Sequence, residues 1–359
     1  MRLPTVSGAG TWLKCHASHQ AQIKYPPLDH TKSQAQLEGL SCHTMLEELI
    51  EGLPLTAGEI DPKWGIVRTQ ALIDSVVKAR GALPKVVTVE ERIDLSMIAQ
   101  GWYGKCDVSH ESSGILNIYD VKFGHTLVEV EENPQLMAYA IGKARQLNLP
   151  SDHAVILHIV QPREYRSGEH FHRTWATSVG ELENYIPMYQ RAIENVMSNA
   201  PTATTGSQCK YCSARANCNT LRDVAYDVVD FSETLSTSNL TGDQIGVDLK
   251  IVRESLERLK SMETALEEQA KFNLSAGRPV KGWGVEPVTS LPKWKSGVEE
   301  QVKMLGMMYG VEVTIETLLT PNQIMKLNID NSVISEYTTQ TSSMRLVQQS
   351  ANDIAKLFE

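Results

Sequence analysis

The sequence predicts an α/β protein in which helices flank a mixed β-sheet. Helical and strand-like patterns alternate over the first 200 residues, in the order helix, helix, three strands, helix, two strands, helix. The strand-like runs are short and are bounded by turn residues, and the run AVILHIVQP is apolar almost throughout, as in a strand at the centre of a sheet. Such an alternation is typical of a sheet covered by helices.

Two helices are predicted before the first strand. Residues 1–35 contain several prolines and are expected to be irregular. Residues 36–52 have helical periodicity, and residues 64–80 form a second amphipathic pattern that ends near Gly81.

The sheet and its remaining helices are expected in the next hundred residues. A polar turn at residues 111–114 separates the second and third strand-like runs, as in a hairpin. The predicted elements are, in order, strands at 86–95, 101–109 and 114–123, a helix at 133–146, strands at 154–162 and 172–178, and a helix at 179–198.

The character of the chain changes after Cys218. Residues 244–275 form a long, highly charged helical pattern, and short strand and helix candidates follow it. We therefore predict a first domain over residues 1–220 and an α+β appendage over residues 221–359.

Composition limits the class of function. The formal net charge is −9, from 34 basic and 43 acidic residues, which argues against a protein that coats nucleic acid without specificity. It leaves room for a nuclease, because a cation-binding carboxylate cluster is itself acidic. No apolar run approaches the ~20 residues of a membrane helix, and the first residues lack the apolar core of a secretory signal, so we expect a cytoplasmic protein that does not bind membranes.

A candidate catalytic centre lies at the second and third strands. Asp107 precedes Asp120 by thirteen residues, and Lys122 lies on the same side of its strand as Asp120 because strand side chains alternate. Two carboxylates, with the backbone carbonyl of Val121, can bind Mg²⁺, and a lysine can orient a water or stabilise negative charge. These are the groups that phosphodiester hydrolysis requires, although a lone D-x-K sequence is usually a solvated strand edge.

Two helices add polar residues at one-turn spacing. Gln135 and Tyr139 share one face of the helix after the third strand. His43 and Glu47 share one face of the first helix, four residues after Gly39.

This order of motifs resembles the PD-(D/E)XK nucleases, and in particular the RecB-like branch with its trailing Q-x-x-x-Y motif. The resemblance implies a restriction-endonuclease-like core. It further implies that His43 binds the metal, that Glu47 is the helical acid of a G-x-x-x-H-x-x-x-E motif, and that Gln135 and Tyr139 contact DNA or brace Lys122. Glu91 resembles a further acidic residue of the family, and its neighbour Glu90 is the alternative. The proline that names the superfamily is absent before Asp107, as it often is in RecB-like members.

The six cysteines suggest a second metal centre. Cys209, Cys212 and Cys218 are spaced as metal or cluster ligands. RecB-like nucleases of the AddB type hold a 4Fe–4S cluster with one cysteine before the nuclease core and three after it, and this resemblance implies Cys15 as the fourth ligand. Structural Zn²⁺ and free buried thiols are the alternatives, and Cys42 could replace Cys15.

The resemblance extends over nearly the whole chain, to a phage and prophage family of RecB-like nucleases, and is strongest over residues 101–142. It implies a DNA exonuclease that uses Mg²⁺ or Mn²⁺ in phage recombination or replication, in the host cytoplasm if the protein is phage-encoded. DNA is then the principal partner, and a single-strand annealing or single-strand-binding protein is a second candidate. The alternatives are a DNA endonuclease and a non-catalytic, nucleic-acid-binding recombination accessory protein.

Overall fold

The computed structural model describes residues 2–28, 33–163, 171–234, 240–295, 298–313, 319–325, 327, 330–340 and 342–348. The chain divides into two compact units, Met1–Glu263 and Thr264–Glu359. The boundary predicted after residue 220 lies inside the first of these units.

The first unit contains a five-stranded sheet and most of the helices. Its strands are β1 (Thr88–Asp94), β2 (Tyr103–Ser112), β3 (Ile115–Val121), β4 (Ala154–Val160) and β5 (His172–Ser178). Its helices are α1 (Ala9–Trp12), α2 (Ser18–Lys24), α3 (Gln34–Ile50), α4 (Gln70–Gly81), α5 (Pro134–Gln146), α6 (Val179–Glu183), α7 (Ile186–Met197), α8 (Asn219–Thr234) and the first part of α9 (Gly242–Ser275).

The sheet is mixed, with strand order β1-β2-β3-β4-β5. All neighbouring pairs are antiparallel except β3 and β4, which run parallel. The parallel pair is joined through α5, because parallel neighbours need a crossover connection. The predicted α/β class, a mixed sheet flanked by helices, is confirmed.

Each face of the sheet has its own apolar core. One core combines β-strand residues such as Leu116 and Ile118 with α5 and α7, and the other combines Tyr119 and Val121 with α3 and α4. The two cores account for the apolar alternation along β3, whose successive side chains enter opposite cores.

The amino-terminal prediction was wrong in part. Residues 1–35 were expected to be irregular, but they contain a 3₁₀ turn at Val6–Gly8 and the short helices α1 and α2. These helices are too short to give a clear periodic pattern, and tertiary contacts such as the burial of Trp12 stabilise them instead.

Two other helices differ from their predicted bounds. The helix expected at 64–80 begins only at Gln70, because the side chain of Thr69 caps it by accepting a hydrogen bond from the backbone N–H of Leu72. The helix expected at 179–198 is two helices, α6 and α7. Pro187 lies in the first turn of α7, where its missing N–H is tolerated but a continuous helix is not.

The second unit begins within α9 and contains two small antiparallel sheets. The pairs are β6 (Trp283–Thr289) with β9 (Ser342–Gln348), and β7 (Lys293–Trp294) with β8 (Thr338–Thr339). Its helices are α10 (Glu299–Tyr309), α11 (Pro321–Ile324) and α12 (Asn331–Tyr337), and its core is formed by Val302, Leu305, Val313, Ile324 and Ile334. In the described part of the chain, no helix combines the length and apolar character needed to cross a bilayer.

Candidate active site

The candidate site forms where β2 and β3 separate. Backbone pairing of these strands stops at Val108 opposite Tyr119. Beyond that point, the carboxylate oxygen Oδ2 of Asp107 accepts a hydrogen bond of 2.9 Å from the backbone N–H of Val121. The Asp107 carboxylate therefore accepts a hydrogen bond that a backbone carbonyl of the neighbouring strand would otherwise accept, and it is held in the gap between the two strands.

The usual alternation of side chains is interrupted at the same level of the sheet. Cys106 and Val108 are two residues apart in β2, yet they enter different cores. On β1, the partner strand, Glu90 adopts a left-handed backbone conformation with φ 51°. For a residue other than glycine such a conformation costs about 1–3 kcal/mol and is often found at functional sites.

This interruption brings Glu90 into a compact group of potential metal ligands. One nitrogen of His43 and one carboxylate oxygen each from Glu90 and Asp107 lie within 4.8 Å of one another. His43 comes from α3, where its ring packs edge-on against Phe123 with 5.2 Å between centroids. Imidazole nitrogen and carboxylate oxygen form a donor set suited to Mn²⁺, and also to Mg²⁺ where carboxylates dominate.

Asp120 and Lys122 form a hydrogen-bonded cluster with Gln135. The ammonium Nζ of Lys122 lies 2.9 Å from Asp120, and the Gln135 amide donates to Asp120 Oδ1 at 3.0 Å. The Gln135 amide oxygen in turn lies 3.4 Å from Lys122 Nζ. The predicted D-x-K residues and the glutamine of the Q-x-x-x-Y pair are thus brought together.

Asp120 Oδ2 is a further candidate ligand atom, beside the Lys122 ammonium. The residue is 1% exposed, and its Oδ2 atom accepts no hydrogen bond from the described residues, although Lys122 Nζ lies 2.9 Å away as an ion-pair contact. A buried carboxylate oxygen is ordinarily satisfied by a donor or an ion. Asp120 Oδ2 therefore fits a cation ligand.

The start of α5 positions Gln135 and Tyr139. The side chain of Asn133 caps this helix by accepting hydrogen bonds from the backbone N–H groups of Gln135 and Leu136, at 3.1 and 3.2 Å. Tyr139 follows one turn later and is 2% exposed, and burial raises the pKa of its hydroxyl, which stays protonated at neutral pH.

Gly104 leaves the space that Tyr139 occupies. A Cβ at position 104 would lie 2.4 Å from the Tyr139 ring carbon Cε1 and 2.8 Å from Val6 Cγ2. Only glycine therefore fits between Tyr139 and the amino-terminal segment. Sequence reasoning missed this residue, because neither contact leaves a local signal.

The site carries an excess of negative charge. Burial and the charge of Asp120 together raise the pKa of Asp107 to about 6, against the opposing effects of His43 and Lys122. Burial would by itself lower the pKa of Lys122, but Asp120 and Asp107 raise it, so the ammonium remains protonated. Lys105, which also lines the cavity, forms an ion pair with Glu90. A divalent cation would relieve the repulsion between the carboxylates that Lys122 and Lys105 do not neutralise.

These side chains face a cavity of about 480 Å³. Segments 2–7 and 101–105 form part of its wall. The predicted site residues that line it are His43, Asp107, Asp120, Lys122, Gln135 and Tyr139.

Glu91 is a correction to the sequence analysis, which preferred it to Glu90. The Glu91 carboxylate contacts Lys143 Nζ at 2.6 and 2.7 Å and accepts a hydrogen bond of 2.9 Å from Ser109. Glu90 has a left-handed backbone conformation, and the next residue, Glu91, packs against Lys143 of α5.

Glu47, a further predicted ligand, lies near the compact group but is not one of its three residues. Burial raises the pKa of Glu47, and the nearby charge of Glu90 raises it further. Glu47 therefore lies near Glu90, on the α3 side of the site. Val121 contributes its backbone N–H to Asp107.

The four predicted cluster cysteines lie close together in space. Burial raises the pKa of Cys212, and the charges of Cys15, Cys209 and Cys218 raise it further. Cys15 follows α1, Cys209 lies in a 3₁₀ turn at Ser207–Tyr211, and Cys218 directly precedes α8.

Hydrogen bonds tie the amino-terminal segment to the chain before and between these cysteines. The Ala17 N–H donates to the Thr202 carbonyl at 3.0 Å, and the Ser213 hydroxyl donates to the Tyr25 carbonyl at 2.7 Å. Gln20 donates to the Val196 carbonyl at 2.8 Å. The amino-terminal segment is therefore joined to residues 196–213 near the cysteines.

Cys42 and Cys106 occupy different surroundings. Both are 0% exposed and each belongs to one of the two apolar cores. Burial raises the pKa of Cys42 to about 11, as expected for a packed thiol.

The sequence matches the protein family described as "Protein of unknown function (DUF2800)" over residues 67–349, more than half of the chain. Among solved structures, the chain is similar to one titled "Crystal structure of SSO0001". The two sequences are 13% identical, and the alignment covers 57% of this chain and 95% of the other with a TM-score of 0.19. That likeness is too low to support an argument about fold or function.

Proposed function

The chain belongs to the family described as protein of unknown function (DUF2800), and we propose that it is a Mg²⁺- or Mn²⁺-dependent DNA exonuclease with a RecB-like PD-(D/E)XK core. One observation carries the proposal. The His43, Glu90 and Asp107 ligand atoms gather within 4.8 Å at the cavity in which Asp120, Lys122 and Gln135 are hydrogen-bonded together.

The donor set fits a divalent cation. The three gathered ligand atoms and the unsatisfied Oδ2 of Asp120 are one imidazole nitrogen and three carboxylate oxygens. A cation bound to His43, Glu90, Asp107 and Asp120 would supply Lewis-acid stabilisation of the phosphoryl oxygens.

The surrounding residues hold and orient the reacting groups. Lys122 carries a positive charge at a buried site, where it stabilises negative charge that develops on the phosphate. Gln135 donates to Asp120 and accepts from Lys122, so it fixes the carboxylate and the ammonium relative to each other. Tyr139 packs behind Gly104 and maintains the shape of the cavity.

The exonuclease assignment over an endonuclease rests on the Q-x-x-x-Y helix and on the cysteine layout, both of which resemble RecB-like exonucleases. Gln135 on this helix contacts both Asp120 and Lys122, which is the bracing role that the resemblance implies. A role in phage recombination or replication, with a single-strand annealing or single-strand-binding partner, follows from the sequence resemblance alone.

The four cysteines are proposed to hold a 4Fe–4S cluster. The layout of one cysteine before the sheet and three after it, which resembles that of AddB-type nucleases, favours a 4Fe–4S cluster over a structural Zn²⁺ ion. The mutual proximity of Cys15, Cys209, Cys212 and Cys218 is compatible with either centre.

Digestion of matched linear and circular DNA tests the activity. The purified full chain is incubated with end-labelled linear DNA and with covalently closed circular DNA of the same sequence, in Mg²⁺, in Mn²⁺ and in EDTA. We expect metal-dependent degradation of the linear DNA to short products and no cleavage of the circles. Equal cleavage of closed circles would favour an endonuclease, and the absence of cleavage under every condition would contradict a nuclease.

A further inference from the structure

We propose that Tyr103 and Arg2 form a substrate-binding subsite on the rim of the cavity, where Tyr103 stacks on a base and Arg2 binds a phosphate of single-stranded DNA. This inference rests on the proposed function, and it adds a substrate class that the catalytic residues alone do not define. Both residues line the same cavity as Asp107 and Asp120.

The amino-terminal segment at residues 2–7 lines the cavity and is held in place by hydrogen bonds. The indole N–H of Trp102 donates to the Pro4 carbonyl at 2.7 Å, and the indole N–H of Trp12 donates to the Thr5 carbonyl at 2.8 Å. A ring nitrogen of His19 lies 2.8 Å from the Arg2 carbonyl. These three hydrogen bonds to backbone carbonyls hold residues 2–7 in one conformation and offset the conformational entropy that the segment loses on folding.

The anchoring leaves the Arg2 side chain available to a ligand. Arg2 is exposed, and the contact with His19 uses only its backbone carbonyl. An exposed guanidinium at the edge of an anionic site is suited to a phosphate outside the reacting position, since arginine binds phosphate in a bidentate manner.

Tyr103 is an exposed aromatic residue with a fixed orientation. Its side chain is 46% exposed, unlike its neighbour Trp102, which is 2% exposed. The guanidinium carbon of Arg92 lies 3.8 Å from the centroid of the Tyr103 ring. An aromatic ring held in this way can stack on a base, a contact that tolerates any base because each has a π-face.

The depth of the catalytic carboxylates favours a single strand. Asp120 is 1% exposed, so a scissile phosphate must enter the cavity to reach it. The cavity measures about 480 Å³, and its wall includes the anchored segment at 2–7. The bases of a single strand are free to stack on an aromatic ring at the rim while a neighbouring phosphate enters the cavity, whereas the bases of a duplex are already paired and stacked on one another. A single strand can place one phosphate at Asp120 with the adjacent nucleotide on Tyr103 and Arg2.

Binding and cleavage by the full chain test the subsite separately from the activity. Binding is measured by fluorescence anisotropy with a labelled oligothymidylate of about 12 nucleotides, within the site sizes of single-strand grooves, in Ca²⁺ to limit turnover. Cleavage of the same oligonucleotide is measured in Mg²⁺ and Mn²⁺. A blunt duplex of the same length provides the comparison for strand preference.

Tyr103→Ala should weaken binding and raise KM by about tenfold with little change in kcat. Tyr103→Phe should have wild-type binding and KM, because it retains the ring. Arg2→Ala should lower the salt dependence of binding by about 0.7 in log–log slope, the value for one phosphate of a single strand. Tyr226→Ala and Lys85→Ala are matched controls at exposed positions outside the cavity lining, and should bind like the wild type. Circular dichroism and melting temperature check that each variant is folded.

The outcomes separate the two proposals. If the wild type cleaves DNA but Tyr103→Ala binds and cleaves like the wild type, or a blunt duplex is cleaved as fast as the single strand, the subsite is overturned and the nuclease stands. If binding of the oligonucleotide depends on the Tyr103 ring but the wild type cleaves nothing, the subsite is supported and the nuclease is overturned.

Discussion

At the residue scale, two adjacent glutamates have different environments. Glu90 gathers with His43 and Asp107 and forms an ion pair with the exposed Lys105, whereas Glu91 pairs with the buried Lys143. We expect Glu90→Gln to lower cleavage by about a hundredfold or more, because a cation ligand contributes several kcal/mol to transition-state stabilisation. Initial rates with saturating Mg²⁺ measure this effect.

Glu91→Gln is the matched control, one residue away with the same chemical change. It should retain cleavage but lower the free energy of unfolding by about 1–3 kcal/mol, because it leaves the Lys143 ammonium without its carboxylate. Denaturant unfolding measures the difference. A loss of cleavage in Glu91→Gln with normal rates in Glu90→Gln would reverse the assignment.

Asp107 gives a pH dependence of stability with a defined sign. Its pKa of about 6 in the folded protein exceeds the ordinary value of 3.8, so its favourable contribution is fully present below that value and is lost as the pH rises through 6. In EDTA at pH 8, Asp107→Asn should therefore melt roughly 2–6 °C above the wild type, and the gap should narrow between pH 6 and pH 4.

Addition of Mn²⁺ provides the second half of this pH experiment. The ion should raise the melting temperature of the wild type more than that of Asp107→Asn, because the variant lacks one carboxylate ligand. A variant that melts below the wild type at pH 8 in EDTA would show that Asp107 is not a destabilised carboxylate.

Sequence patterns predicted six of the residues that line the cavity, but not its amino-terminal wall and not the partners of the predicted residues. The strand alternation placed Asp120 and Lys122 on one side, and the resemblance to RecB-like nucleases implied that Gln135 contacts DNA or braces Lys122. The choice between Glu90 and Glu91 depended on a left-handed residue at Glu90, which a run of two glutamates does not reveal.

At the scale of elements, the contact between β2 and α5 makes a separate prediction. Gly104→Ala would place a Cβ 2.4 Å from Tyr139 Cε1, so the tyrosine or the strand must move. We expect a loss of about 1–3 kcal/mol in unfolding free energy, as for other overpacked cores, together with lower cleavage. Thermal unfolding and initial rates measure the two effects.

Gly81→Ala is the matched control, because a Cβ there meets no atom within 4 Å and the residue lies at the end of α4. It should leave stability and cleavage close to wild-type values. If Gly104→Ala is equally neutral, the close packing of Tyr139 against β2 does not contribute to the site.

Element types were easier to predict than element ends. The long, periodic helix α3 and the apolar strand β4 were recognisable because their patterns persist over several turns or residues. The break between α6 and α7 and the short helix α1 depend on one proline and on tertiary burial, which periodicity does not report.

At the scale of the whole molecule, the proposed cluster would connect the amino-terminal segment to the chain that follows the five-stranded sheet. A cross-link between Cys15 and the cysteines near residue 210 closes a loop of about 200 residues and should add several kcal/mol to stability. Cys212→Ser should lose the iron and lower the melting temperature of anaerobically purified protein.

Cys42→Ala is the control for this experiment, since Cys42 is buried in a core away from the cluster cysteines. It should keep roughly four irons per chain, measured by elemental analysis together with absorbance. If the protein contains zinc and no iron, the four cysteines hold a structural Zn²⁺ ion and not a 4Fe–4S cluster. If anaerobically purified protein contains no metal, neither the cluster nor the zinc site exists.

The arrangement of the whole site was beyond the reach of sequence patterns. The segment at residues 2–7 enters the cavity wall through hydrogen bonds from Trp12 and Trp102, and the second of these joins residues 98 positions apart. Contacts at such separations leave no local periodicity. The family match at 67–349 likewise does not include this amino-terminal wall.

The central claim is that Asp107, Asp120 and Lys122 form the centre of a metal-dependent nuclease. Its most direct test is the initial rate of cleavage of end-labelled single-stranded DNA in Mg²⁺ by the wild type and by Asp120→Ala, with folding checked by circular dichroism. We predict clear cleavage by the wild type and a loss of about a thousandfold or more in the variant. A folded Asp120→Ala protein that cleaves at a rate near that of the wild type would contradict the assignment.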